Sequence, residues 1–446
     1  MWSALWVAVA VAVEPPDLDP TVATLDNGLT VVLSEDHRSD TIALHLVFGV
    51  GSRDEQEGER GCAHLFEHLM FEGSENVPGN SFDAWLTESG GENNAWTSND
   101  ATAYHMTIPS GALDLALFLE SDRMGFLSAG LVQENIDNQQ AVVLQERADG
   151  YAEPNGRDWD AISRLAWPVG HPYHHPVIGT VADIERFDLE AVRGFWERHY
   201  QPANATLALV GRFDTSDALQ RVRHWFSDVP ARAVPIPRAT DPVALVAGGS
   251  HGVIEDNVEE RTVYVVWETV PLRHADAPAL QVLATLMSGG RGTRLDDVMY
   301  YRSRKASDVG MWFDAAERAG QMVAYATSTH RSLVRLKRAM ERQVRRLAAR
   351  EPRDEEVERA QTSILGDLRS DLEWPEERAS VLADCQRLTG DAGCLAADWA
   401  RVMAVTPADV RRVAQEYLIE RTPSTLSSVP VGDDESLPGA MPVVLP

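Results

Sequence analysis

The chain has 446 residues, 44% of them hydrophobic and 24% charged, which allows two cores of roughly 200 residues each and leaves no large part compositionally disordered. Acidic residues outnumber basic ones by 68 to 40, for a formal net charge of -28. Nucleic acid and anionic membrane surfaces both require a basic face that displaces counterions, so neither is expected as a partner.

Met1 to Val13 is apolar and sets Ala10-Val11-Ala12 just before Glu14-Pro15-Pro16, a pattern similar to a short hydrophobic core ahead of a small-residue cleavage site. Residues 1–20 are therefore read as a signal-type leader and the chain as periplasmic or secreted, with a cytoplasmic location as the alternative. No other stretch reaches the roughly 20 apolar residues a membrane helix needs, so no span is expected in the mature chain. The three cysteines are too few for a disulfide framework, although export would let Cys385 pair with Cys394 and leave Cys62 free.

Next come Leu29-Thr-Val-Val-Leu and Ile42-Ala-Leu-His-Leu-Val-Phe, both strand-like, the second with Ile42, Leu44, Leu46 and Phe48 on one face at period two. A helix is expected from about residue 61, then a polar hairpin at Gly90-Gly91, a strand from Tyr104 to Ile108, and helices near 111–127 and 133–150. A strand over Thr206–Val210 and a helix near 215–227 follow. Strands and helices mix without strict alternation, which predicts an α+β layered fold. Pro230, Pro235, Pro237 and Pro242 mark a stiff connector at 231–245. Beyond it lie a strand at Thr262–Trp267, a helix from about Ala277, and amphipathic helices near 332–350 and 354–372. In the first of those two, Leu333, Leu336, Met340, Val344 and Leu347 recur at core-packing spacing. Val192-Arg193, Tyr200 and Thr206 are echoed by Val410-Arg411, Tyr417 and Thr425, which suggests a duplicated fold. The chain thus divides into halves at 21–230 and 246–432, with a tail at 433–446.

The sequence Gly61-Cys-Ala-His64-Leu-Phe-Glu67-His68-Leu-Met-Phe71 is free of proline. On a helix, His64, Glu67 and His68 fall within one arc of roughly 100°, opposite Leu65, Phe66, Leu69 and Met70. Imidazoles at i and i+4 reach one ion, and a catalytic zinc takes a third protein ligand and leaves a further position to water. Glu67, beside the ligands, suits a general base. The order His-x-x-Glu-His reverses the commoner zinc-peptidase motif, and the second half has no counterpart of it. The motif alone does not name the third ligand.

The run from Gly61 to Phe71 with Gly73-Ser74 resembles the zinc helix of pitrilysin/insulinase-type peptidases, in a branch like the bacterial processing peptidases. Gly90-Gly-Glu-Asn-Asn94-Ala95-Trp-Thr97 through Asp100, Thr102 and Tyr104 resembles the same family's edge strand beside the metal. The resemblance covers roughly residues 25–430. It implies two homologous α/β-roll halves forming a clam-like chamber, and a zinc endopeptidase acting on peptides or unfolded segments. Zinc would be held by His64, His68 and Glu146 in Val142-Val-Leu-Gln-Glu146-Arg147, with Glu134, Asp149 and Glu153 as alternatives to Glu146. Glu67 would be the base, and Asn94 and Ala95 would bind substrate by strand addition.

Two features depart from the family's pattern. Gln139 stands where some members carry an acid two turns before the third ligand, which leaves support for the metal in doubt. In the second half, around Arg291, Arg294, Tyr301, Ser307 and Asp308, no tyrosine occupies the expected later position. A homodimer, or a heterodimer with a related subunit that supplies an Arg/Tyr pair, is therefore expected. The rival readings are a non-catalytic or partner-dependent subunit and a zinc hydrolase of small amides. His171, His174 and His175 are read as a structural loop in preference to a second metal site.

Overall fold

In the computed structural model, residues 14–79, 81–231, 243 and 248–445 are described; the first 13 residues of the expected leader and most of the expected linker lie outside them. One sheet is built from β1 (Thr21–Thr24), β2 (Thr30–Glu35), β3 (Thr41–Phe48), β4 (Glu92–Thr97), β5 (Thr102–Pro109) and β6 (Ala205–Gly211). A second sheet comprises β7 (His251–Asp256), β8 (Arg261–Thr269), β9 (Asp308–Ala315), β10 (Gly320–Ser328), β11 (Ser424–Pro430) and β12 (Met441–Pro442). The strand orders are β1-β2-β6-β3-β5-β4 and β12-β7-β11-β8-β10-β9.

Five strands of each sheet match in order, β2-β6-β3-β5-β4 with β7-β11-β8-β10-β9. In each sheet a central strand, β6 or β11, runs parallel to one neighbour and antiparallel to the other. The echo seen in the sequence falls at equivalent places, since Tyr200 and Tyr417 are both buried on the approach to these two strands. The architecture is thus the expected pair of homologous α+β halves forming a clam-like chamber. The edge strands at one end differ: β1 is antiparallel to β2, whereas Met441–Pro442, beyond the second half, adds β12 parallel to β7.

The first half carries helices α1 (Cys62–Leu69), α2 (Ser81–Glu88), α3 (Leu113–Phe126), α4 (Gln133–Ala152), α5 (Asp158–Ala166), α6 (Val181–Ile184), α7 (Leu189–His199) and α8 (Thr215–Phe226). The second carries α9 (Ala277–Met287), α10 (Leu333–Ala349), α11 (Asp354–Asp371), α12 (Pro375–Thr389), α13 (Leu395–Met403) and α14 (Pro407–Val413). Among the described residues, no helix is long and apolar enough to cross a membrane.

Period two in β3 aims Ile42, Leu44, Leu46 and Phe48 into the core that also buries Leu65, Phe66 and Leu69 of α1. The opposite face is covered too, because Ala43 and Val47, with Val32, Ala208 and Val210, pack against Ala379, Leu382 and Ala383 of α12. Small residues on that face let a helix from the other half lie close against the sheet. The exchange is reciprocal: Ala161 and Ile162 of α5 pack on Ile254, Val266, Val323 and Leu426 of the second sheet.

The halves also meet in a buried ionic cluster where their β4–β5 and β9–β10 turns approach. Arg53 Nη1 donates to Asp100 Oδ1 and Glu317 Oε2, each at 2.8 Å, and Arg387 of α12 donates to the other oxygen of Glu317. Cys385 and Cys394 are disulfide-bonded, closing the turn between α12 and α13, and Cys62 is a buried free thiol.

Candidate metal centre

α1 starts without a side-chain cap of its own, because Gly61 precedes it at φ 97°. A Cβ there would come within 2.8 Å of Ile178 O, so glycine is required both for the backbone angle and for the close approach of the 171–179 loop. The cap comes from Glu55, whose carboxylate accepts from Gly61 N at 2.9 Å and Ala63 N at 2.8 Å. A negative group at this end also complements the helix dipole. His175 Nε2 lies 3.1 Å from Glu55 Oε2 and 2.9 Å from Ser52 O, which fixes the capping carboxylate. From the sheet side, Tyr104 OH donates to Phe66 O at 3.1 Å and Tyr200 OH to Ala63 O at 3.4 Å.

So anchored, α1 buries Leu65, Phe66 and Leu69 and turns His64, Glu67 and His68 to the cleft. Glu146, exposed in the middle of α4, completes the group. Its Oε1 is 3.7 Å from His64 Nε2 and its Oε2 is 3.5 Å from His68 Nε2. Donors about 2.0–2.2 Å from a tetrahedral ion stand roughly 3.3–3.6 Å from one another, close to the two His–Glu separations, and all three ligand atoms lie within 4.8 Å of each other, so the group could hold a zinc ion. Burial and the neighbouring His68 hold His64 at about 4, which keeps its imidazole neutral with a lone pair free for a metal. Among the described residues, Glu134, Asp149 and Glu153 do not join this group, and Asp149 instead accepts from Gln145 Nε2 at 2.8 Å.

Glu67 is oriented by Thr97, the last residue of β4, whose hydroxyl donates to Glu67 Oε2 at 2.6 Å. Burial pushes the Glu67 carboxyl above its ordinary range, against the pull of the Thr97 hydrogen bond. Beside it opens a cleft of about 270 Å³ whose walls include His68, Phe71, Asn94, Ala95 and Gln139. β4 forms the edge of the first sheet, with Ala95 opposite Tyr104 of β5. Ala95 N–H is held by Asn94 Oδ1 at 2.8 Å, so a strand docking there must displace that side chain.

The doubt over Gln139 is resolved by a residue absent from the sequence argument. Gln139 Nε2 donates to Glu72 Oε1 at 2.6 Å, and its amide oxygen lies 3.2 Å from His68 Nδ1. A carboxylate only accepts, so the amide nitrogen must face Glu72 and the oxygen must face His68. His68 then carries its proton on Nδ1 and presents the Nε2 lone pair towards His64 and Glu146. The amide thus holds the His68 ring from the position where an acid was expected.

The second-half positions singled out in the sequence are engaged elsewhere. The Arg291 guanidinium lies 5.2 Å from the Tyr301 ring centroid, Ser307 donates to Glu260 Oε2 at 2.9 Å, and Asp308 accepts from Tyr325 OH at 2.7 Å. His171, His174 and His175 do not converge: His171 stacks on Trp167 with centroids 4.3 Å apart, and His174 Nδ1 contacts Trp167 O at 2.6 Å.

Comparison with known proteins gives a consistent picture. Residues 30–178 match the family described as Insulinase (Peptidase family M16), and residues 186–364 the one described as Peptidase M16 inactive domain. The chain is 26% identical over 364 residues to an uncharacterized zinc protease of Rickettsia bellii, covering 81% of this chain and 85% of that one. It is 30% identical over 289 residues to the zinc protease PqqE of Helicobacter pylori, covering 64% of each. A crystal structure of a protease from Helicobacter pylori superposes with a TM-score of 0.84 at 25% identity, covering 92% of this chain and 99% of that one.

Proposed function

Since the chain belongs to the insulinase/pitrilysin-type M16 peptidase family, we propose that it is a zinc-dependent endopeptidase hydrolysing peptides or unfolded segments within its two-half chamber. The observation that carries this reading is the convergence of His64, His68 and Glu146, whose ligand atoms lie within 4.8 Å of one another, with Glu67 one position before His68. Zinc bound there would supply a Lewis acid that polarises the scissile carbonyl and makes water a stronger acid.

The chain's own residues supply the rest. Glu67, with Oε2 fixed by Thr97, takes the proton of the attacking water on its other oxygen and passes it to the leaving amine. The edge strand β4 receives an extended substrate by strand addition through Asn94 and Ala95, which positions the amide without demanding a particular sequence. Gln139 and Glu72 hold the His68 imidazole in the orientation and tautomer that a metal ligand needs.

A second reading is favoured by one observation, the contact of Arg291 with Tyr301, neither of which lines the Glu67 cleft. On this reading the chain is the zinc-bearing member of a homodimer or heterodimer, and a related subunit supplies the Arg/Tyr pair. A periplasmic or secreted location, following removal of residues 1–20, accompanies either reading.

The test is peptide-library cleavage by purified protein of known zinc content, alongside Glu67→Gln. Turnover that requires zinc and falls by about 10²–10⁴-fold in a variant that still holds metal supports the enzyme reading. Zinc binding without turnover favours the partner-dependent reading, and a chain that binds no zinc refutes both.

A further inference from the structure

A cavity of about 320 Å³ on the second half, remote in sequence from the zinc ligands, is lined by Lys305, Arg331, Arg335, Leu336, Arg338 and Arg342. That volume lies in the range of small-ligand pockets, roughly 300–1,000 Å³. Arg331 lies just ahead of α10, and Arg335, Arg338 and Arg342 follow it at helical spacing along one exposed stripe. Lys305 reaches the same cavity from the segment before β9.

The stripe runs against two ordinary tendencies. Like charges at i,i+3 and i,i+4 on a helix repel, and a chain with 68 acidic residues has ample means to neutralise them. Glu341, the acid of α10, instead pairs with Lys337, which stands off the stripe, and with Arg345, which continues it beyond the cavity. None of the five cations at the cavity has an ion pair among the described residues. By contrast, two arginines elsewhere in this half are neutralised, Arg294 by Glu356 and Arg261 by Asp433 and Glu435. Charges left unpaired around a concavity, with Leu336 and the arginine stems as its apolar wall, form a receptor for a compact multivalent anion. Guanidinium forks match phosphate oxygens in bidentate geometry.

We propose that this cavity binds a small phosphate-bearing anion carrying at least two negative charges, either an organic diphosphate or free pyrophosphate. The site shares no lining residue with the cleft beside Glu67 and does not depend on the peptidase reading.

Titration calorimetry of the full chain with ADP, pyrophosphate and adenosine, at an ionic strength of about 0.15 M to screen diffuse attraction, tests the assignment. The comparison variant is R335Q/R338Q, which removes two charges while keeping good helix formers at exposed positions. Saturable binding of ADP or pyrophosphate at one site per chain, at least tenfold weaker in the variant and absent for adenosine, is expected. The tighter of the two ligands shows whether the apolar wall contributes. Equal affinity in native and variant proteins, or no saturable binding of either anion, overturns the proposal. Circular dichroism of the variant separates loss of charge from loss of fold.

Discussion

His45 in β3 is 3% exposed and lies beneath α12, with ring centroids 6.2 Å from Trp96 and 6.0 Å from His105. Its Nε2 is buried and has no hydrogen-bond partner among the described residues. Burial, then the nearby charges of His105 and Arg387, hold it at about 3 against an ordinary 6.5. The folded state therefore keeps it neutral, and between these two values the unfolded chain binds a proton that the folded chain excludes. The resulting stability is fully present above pH 6.5 and is lost as the pH falls from there towards 3. Between pH about 7.5 and about 5 the loss assigned to this one side chain is roughly 2 kcal/mol. His45→Phe keeps an aromatic ring in the site and abolishes the titration.

Because each half lends a helix to the other, urea unfolding followed by tryptophan fluorescence should report on both together. Comparing the two pH values for native protein and variant isolates His45, since the other buried histidines contribute equally to both. The variant should lose roughly 2 kcal/mol less on acidification. An identical pH dependence in the two proteins would show that α12 does not seal His45 from water as the structure describes.

Two further outcomes follow. Gln139→Leu should weaken zinc affinity by about 10–100-fold in a chelator competition, as loss of a ligand-orienting partner generally does, while far-UV circular dichroism stays unchanged; undiminished affinity would remove Gln139 from the metal's support. Reducing the Cys385–Cys394 bridge, which spans a sequence separation of 9, should cost about 2.6 kcal/mol by the loop-entropy relation, visible as a lower urea midpoint in dithiothreitol.

The gathering of these side chains was legible because helical spacing sets His64, Glu67 and His68 on one arc, and because the residues around Glu146 resemble a known context. Its supports were not. Glu55 caps α1 from a loop, where no periodicity marks it, and His175 reaches that carboxylate from a segment more than 100 positions away. Gln139 was in doubt because only an acid was expected there. The amide works through Glu72, which sits at i+4 from His68 and fixes which end of the amide faces the ring. In β3, alternation gave the face packed on α1. The second face was written in the same run as Ala43 and Val47, but the helix that covers it comes from over 300 residues later, a distance no local pattern spans.

That exchange of α5 and α12 has a consequence for the chain's topology. Each sheet is closed by a helix tethered to the other one, so the segment joining the halves is not what holds them together. Nicking the backbone between residues 231 and 248 should leave a stoichiometric two-fragment complex that survives gel filtration. Neither fragment expressed alone should be soluble, because each would expose the apolar back of its sheet. Built this way, the molecule resembles an intertwined dimer whose two subunits have been spliced into one polypeptide.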